Sequence, residues 1–167
     1  MQLIILVETK SKDGSDCIYL RSFFKKFYNG LRGTKLSFVT MNGKTNYFKK
    51  ENEISKLIEE YSGVSKVIVA IDIDKPELLE DQEALNKNIE QYCIDKNYEL
   101  VWFNKTIEQV FIKEIIKNKK DEAAKNFLRK QLINKVDINC FNKENISKHK
   151  QGESNLKSIM DKLLSQK

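Results

Sequence analysis

Glu8, Asp72 and Asp74 are the residues of this chain whose types and spacing speak most directly to chemistry. Glu8 closes an apolar run that includes Leu3-Ile4-Ile5-Leu6-Val7, and an Asp-x-Asp made by Asp72 and Asp74 closes another, Val67-Ile68-Val69-Ala70-Ile71. Hard divalent cations take oxygen ligands, and magnesium is commonly held by one or two carboxylates while keeping waters for a substrate's phosphate oxygens. Three acids converging at strand ends would hold magnesium, or manganese in its place, against a phosphodiester.

Such convergence needs a particular scaffold. Both apolar runs read as strands buried on two faces, the pattern of a parallel sheet covered by helices. An amphipathic segment from Asp16 to about Leu31 lies between them, with Ile18, Phe23, Phe24 and Phe27 as its buried stripe and Ser15 or Asp16 as its cap. Lys35 to Met41 reads as a second strand, Asn42-Gly43 as a hairpin turn into Thr45-Asn46-Tyr47-Phe48, and Glu51 to Tyr61 as a short helix. After the Asp-x-Asp come a helix from about Pro76 to Asp95, a strand from Tyr98 to Phe103, and a helix that Thr106 caps with Gln109 as its partner. Helical patterns follow around Asp121 to Lys135 and Glu153 to Leu164. Alternating strands and helices predict an α/β fold with a mostly parallel central sheet, and in open sheets of this kind the ligand site lies beyond the carboxyl ends of the strands. Glu8, Asp72 and Asp74 all fall at such ends.

With 167 residues, 40% hydrophobic and 32% charged, the chain is expected to form one compact unit with a packed core. No stretch approaches the roughly 20 apolar residues that span a bilayer. The first strand begins at the N-terminus without a basic leader, and Cys17, Cys93 and Cys140 are odd in number and widely spaced. Both features suit a cytoplasmic setting and no membrane association. The net charge of +6 is uneven: residues 1–112 carry 16 Lys/Arg against 17 Asp/Glu, and residues 113–167 carry 14 against 7. We therefore divide the chain into a catalytic domain at 1–112 and a basic helical C-terminal extension at 113–167 packed on it. A basic face beside an acidic pocket suits a polyanionic substrate, while the same lysines could equally be solvated helix faces.

A glutamate ending the first strand and an Asp-x-Asp ending a later one resemble the topoisomerase–primase, or Toprim, domain. Within that superfamily the chain is most similar to the compact RloB-like and overcoming-lysogenization-defect-type nucleases of bacterial defence loci. The resemblance covers about the first 110 residues, and Ser15-Asp16, the strand Leu100-Val101-Trp102-Phe103 and Glu108 add to it. It implies a Rossmann-like fold and a magnesium-dependent nuclease acting on RNA or DNA. Asp72 and Asp74 would bind the metal, Glu8 would complete its coordination or act as general acid/base, and Glu108 would orient a second ion. Lys10, Lys12 and Lys75 would neutralise phosphate oxygens near the acids, and Lys148, His149 and Lys150 would grip a nucleic-acid backbone. A partner ATPase or another subunit of a defence complex is conceivable by the same analogy.

Plainer readings stand beside these. Asp74 before Lys75-Pro76-Glu77 could be a helix cap, Glu108 a solvated first-turn acid, His149 a surface residue, and Trp102 and Phe103 core rather than a base-stacking platform. Asp72 has less excuse, because an acid ending a buried strand is costly unless something pairs with it, and a nearby lysine could be that something. One histidine and no Cys-x-x-Cys exclude the usual zinc sites, and neither a P-loop nor a Gly-x-Ser-x-Gly elbow occurs. Two other functions remain. One is a catalytically silent Toprim-like scaffold that binds nucleic acid or protein. The other is a receiver-like signalling domain, which expects an isolated acceptor aspartate and a lysine at the end of its fifth strand.

Overall fold

The computed structural model describes residues 1–73, 80–144 and 151–165. Five strands form one sheet in the order β2-β1-β3-β4-β5: β1 (Gln2–Val7), β2 (Lys35–Thr40), β3 (Ser65–Asp72), β4 (Glu99–Asn104) and β5 (Glu153–Ser154). The first four run parallel, and β5 pairs antiparallel with β4. The chain is thus an α/β protein with a mostly parallel sheet flanked by helices.

Strand alternation sorts the apolar residues onto two faces. Leu3, Ile5, Val7, Ile68, Ala70, Val101 and Phe103 meet one group of helices: α1 (Ser15–Phe27), α4 (Ile107–Ile112), α5 (Lys120–Arg129) and α6 (Leu156–Ser165). Ile4, Leu6, Val39, Val67, Val69 and Ile71 meet the other, α2 (Glu51–Glu59) and α3 (Glu80–Lys96). In register, Ile5 lies between Phe38 and Ile68, and Leu6 lies between Val39 and Val69. The central strands are therefore apolar on both sides, which is why they read as continuous hydrophobic runs. Residues beyond Ile112 share the same core, since Ala124, Phe127, Phe141, Leu156 and Met160 pack with the α1 aromatics. Trp102 and Phe103 are core residues, 1% and 2% exposed. Among the described residues no helix is long and apolar enough to cross a membrane.

Three local expectations are corrected. Asn42-Gly43 does not turn a hairpin: Asn42 (φ 56°) and Gly43 (φ 99°) lead into a 3-10 helix over Lys44–Lys50. The cause is tertiary, because the Gly43 N–H donates to the Glu8 carbonyl (2.8 Å) and carries the chain over the end of β1 rather than back along β2. The cap of α1 is Gly14 rather than Ser15 or Asp16, whose side chains have other partners. The C-terminal part is not wholly helical. Before α6 it supplies β5, where Asn155 replaces further strand pairing by accepting the Trp102 N–H (3.0 Å) and donating to the Leu100 carbonyl (2.9 Å). The expected Thr106 cap is present, its hydroxyl accepting the Gln109 N–H. The start expected for α3 near Pro76 lies outside the described residues.

Candidate functional site

The connection after β1 returns through α1 on one face of the sheet, and α3 follows β3 on the other. The chain diverges between these neighbouring strands, the switch point at whose carboxyl edge open sheets of this kind form their ligand crevice. Glu8 and Asp72 stand on either side of it. The Asp72 N–H donates to Glu8 Oε1 at 2.7 Å, so Glu8 meets Asp72 through the Asp72 backbone rather than through its carboxylate. Strand parity puts the Asp72 side chain on the side of Ile68 and Ala70, facing α1 and α4. There its Oδ1 accepts the Ile107 N–H (2.8 Å).

Glu108 belongs to the same site. Every residue of α4 from Ile107 to Phe111 is buried, so an acid in its first turn has no exit to solvent. The Glu108 side chain is 0% exposed, and its Oε2 lies 3.2 Å from the Lys120 ammonium. Apart from that ammonium, neither carboxylate oxygen has a hydrogen-bond donor among the described residues. A solvated first-turn acid it is not.

Two residues of the site were not among the sequence expectations for it. Asp16 accepts hydrogen bonds from the Thr9 N–H (3.2 Å) and the Ser15 hydroxyl (3.1 Å). The loop after Glu8 must fold tightly for this, and Gly14 permits it: a Cβ there would lie 1.8 Å from Thr9 Oγ1. Lys120 opens α5, an unfavourable end of a helix for a cation. Its ammonium stands 3.2 Å from Glu108 and 3.8 Å from Asp72. Asp121 beside it accepts the Ser15 N–H (2.9 Å), fastening the start of α5 to the start of α1. Lys44, nearly buried, donates from its ammonium to the Asp72 carbonyl (2.9 Å).

The electrostatics follow from crowding. Burial pushes the Asp72 carboxyl well above its ordinary value, and the charges of Glu8, Asp16 and Glu108 add to the push against the pull of Lys120. Asp16 is raised by burial and then by Glu108, against the Ser15 hydroxyl, Lys120 and the Thr9 N–H. Burial works against the Lys120 ammonium, but Asp72, Glu108 and Asp16 outweigh it and raise its affinity for the proton. Nearby, the buried Tyr19 hydroxyl has no hydrogen-bond partner among the described residues and is raised by burial, by Glu108 and by Asp16.

Among the described residues, no group of three or more acid, histidine or cysteine side chains is placed to hold a metal ion. Asp74, Lys75, Lys148, His149 and Lys150 lie outside the described residues. Lys10 and Lys12 are exposed in the loop after Glu8. Cys17, Cys93 and Cys140 are free, and burial pushes the Cys17 and Cys93 thiols up to about 12, the mark of inert core residues. Comparison with protein-family models, with curated proteins and with solved structures gave no match.

Proposed function

We propose that the protein is a magnesium-dependent phosphodiesterase that cleaves nucleic acid, a nuclease of the Toprim type resembling the RloB-like chains of bacterial defence. The observation that carries this reading is the Glu108 carboxylate: wholly buried, with no hydrogen-bond donor beyond one lysine among the described residues, and close enough to Asp72 and Asp16 to raise the pKa of both. Buried carboxylates are costly unless paired or bound to metal. Glu8, Asp16, Asp72 and Glu108 against the ammoniums of Lys120 and Lys44 leave an excess of carboxyl groups that suits a divalent cation.

Asp72, Glu108 and Asp74 would hold magnesium or manganese, with Glu8 at its edge. A metal so held would polarise a phosphoryl oxygen and offset the charge that develops there. Glu8, which accepts the Asp72 N–H, would move a proton at the attacking or leaving oxygen. Lys10 and Lys12 are exposed beside the crevice and would meet substrate phosphates, as would Lys75, Lys148 and Lys150 by their place in the sequence. A cytoplasmic location, a role in anti-phage defence and a partner ATPase or defence-complex subunit belong to the same reading.

The test is incubation of the full chain with RNA and DNA, single- and double-stranded, in Mn2+ or Mg2+. Cleavage that chelation stops and that Asp72→Asn and Glu8→Gln each abolish is expected. Binding of nucleic acid with no cleavage under any of these conditions would overturn the nuclease and favour the catalytically silent scaffold.

One observation favours the receiver-like reading: Asp72 ends β3 with a lysine ammonium 3.8 Å away, in a sheet of order 2-1-3-4-5. That lysine, however, comes from the start of α5, and β5 is a two-residue antiparallel strand. Stable phosphorylation of Asp72 by a small phosphoryl donor would favour the receiver over the nuclease.

A further inference from the structure

The position of Lys120 has a consequence for how the crevice is loaded. Its ammonium lies between Glu108 and Asp72, two carboxylates that the proposed function assigns to the metal. Among the described residues the Glu108 oxygens have no donor besides that ammonium, and the buried Tyr19 hydroxyl has no partner, so one lysine satisfies this buried acid only in part. The Lys120 stem is not locked in, because 41% of its side chain is exposed and four single bonds separate the ammonium from the backbone-bound carbon. The backbone beneath it is fixed, since Asp121 ties the start of α5 to Ser15. The result is a mobile charge on a rigid post.

We propose that Lys120 is a tethered counter-cation that competes with the divalent ion for Glu108 and Asp72, and thereby sets the metal concentration at which the crevice loads; this rests on the metal reading above. Without metal, the ammonium offsets part of the repulsion among Glu8, Asp16, Asp72 and Glu108. When a divalent ion enters, two like-charged cations cannot share the same carboxylate oxygens at contact distance, and the lysine, being the one with a route to solvent, swings outward. Displaced, it projects from the rim of the crevice.

The experiment uses the full chain and Mn2+ alone, with no substrate. Calorimetric titration of the wild type, Lys120→Met, Lys120→Arg and the exposed neighbour control Lys119→Met reads the metal affinity directly. Lys120→Met is expected to bind Mn2+ about tenfold or more tightly than wild type, since a positive charge a few ångströms from the ion has been removed. Lys120→Arg and Lys119→Met are expected to stay close to wild type. Equal Mn2+ affinity in wild type and Lys120→Met overturns the competition while leaving the metal reading intact. No Mn2+ binding to either chain overturns both.

A measurement on the unaltered protein stands beside the variants. Acetylation of Lys120 by an amine-reactive ester, followed by peptide mass spectrometry, should quicken severalfold when Mg2+ is added and stay unchanged when Na+ is added at equal ionic strength. Unchanged labelling under conditions where Mg2+ is bound overturns the displacement.

Discussion

Glu8 Oε1 accepts the backbone N–H of Asp72 at 2.7 Å, a bond across 64 residues of sequence that joins the carboxyl ends of β1 and β3. The bond uses an oxygen rather than a charge, and that separates two variants. Glu8→Gln keeps an acceptor in place and should fold with stability close to wild type. Glu8→Ala leaves the Asp72 N–H without its partner and should cost about 1–2 kcal/mol in denaturant unfolding. If Glu8 moves a proton in phosphodiester cleavage, both variants lose roughly a hundredfold or more in turnover. A Glu8→Gln chain that cleaves nucleic acid normally would remove Glu8 from the chemistry.

Asp72 predicts a stability profile opposite to that of an ordinary paired acid. Its folded-state pKa lies above the value of about 3.9 expected in an unfolded chain, so the fold binds more protons than the unfolded chain between those two points. The stabilisation this brings is present in full below the lower value and is lost as pH rises through the raised one. Asp16 acts in the same direction. For the metal-free protein, Tm should therefore decline from mildly acidic pH toward neutrality, with Asp161, whose pKa is lowered, opposing only at more acid pH. In Asp161 burial works the other way, but the hydrogen bonds from Lys157 and Tyr28 prevail. Asp72→Asn should flatten the neutral limb and raise the metal-free Tm at pH 7 by roughly 2–4 °C, the shift that about 1 kcal/mol brings in a chain of this size. It should also abolish metal-dependent cleavage. Thermal unfolding across pH with a chelator present checks the first part; a Tm for Asp72→Asn below wild type at pH 7 would show that the carboxylate is held by something stronger than its repulsion from Glu8, Asp16 and Glu108.

What was legible in the sequence and what was not divides along the same physical line. An acid at the end of an apolar run is conspicuous because burial without a partner is expensive, so Glu8 and Asp72 could be read from local pattern alone. Glu108 could be named but not placed. Its burial depends on α5 covering α4, a contact between segments with no local signature. Asp16 and Lys120 were hidden by their surroundings, one beside a serine that mimics a helix cap and the other in a charged run, Lys119-Lys120-Asp121-Glu122, that looks like solvated surface. The signal available was a lysine in the first helical turn, where the helix dipole disfavours it. At Asn42-Gly43 local pattern pointed to a hairpin, but the direction of the chain after the two residues is set by the Glu8 carbonyl, which accepts the Gly43 N–H.

Asn155 tests the joint between the C-terminal segment and the sheet. Only two residues of β5 pair with β4, yet Asn155, 7% exposed, continues the ladder with its side chain by accepting from Trp102 and donating to Leu100. Removing it strands a donor and an acceptor of β4 at once. Asn155→Ala should cost about 2–4 kcal/mol in urea or guanidinium unfolding. Asn155→Asp should cost at least as much, because a carboxylate oxygen then faces the Leu100 carbonyl. A cost below about 1 kcal/mol for the alanine variant would mean that α6 is held by its apolar face and its contacts with Tyr28 and Glu99, without need of Asn155.

Tyr19 offers a probe of the crevice from the core side. Its ring is wholly buried, 5.1 Å from the Phe111 ring and 4.9 Å from that of Phe127, and its hydroxyl has no hydrogen-bond partner among the described residues. Tyr19→Phe keeps the ring packing and removes only the unpaired oxygen, so the metal-free chain should gain about 1 kcal/mol, the lower end of the penalty for burying an unsatisfied polar group. The expectation reverses if the hydroxyl is used when the crevice holds a cation and its waters. Metal would then stabilise the wild type more than Tyr19→Phe, and the advantage of the variant would shrink or vanish at saturating Mg2+. Paired melts with chelator and with Mg2+ separate the cases. A loss of more than about 1 kcal/mol in the metal-free variant would place a bound water on Tyr19 already, and an equal gain in both conditions would leave the hydroxyl outside the cation site.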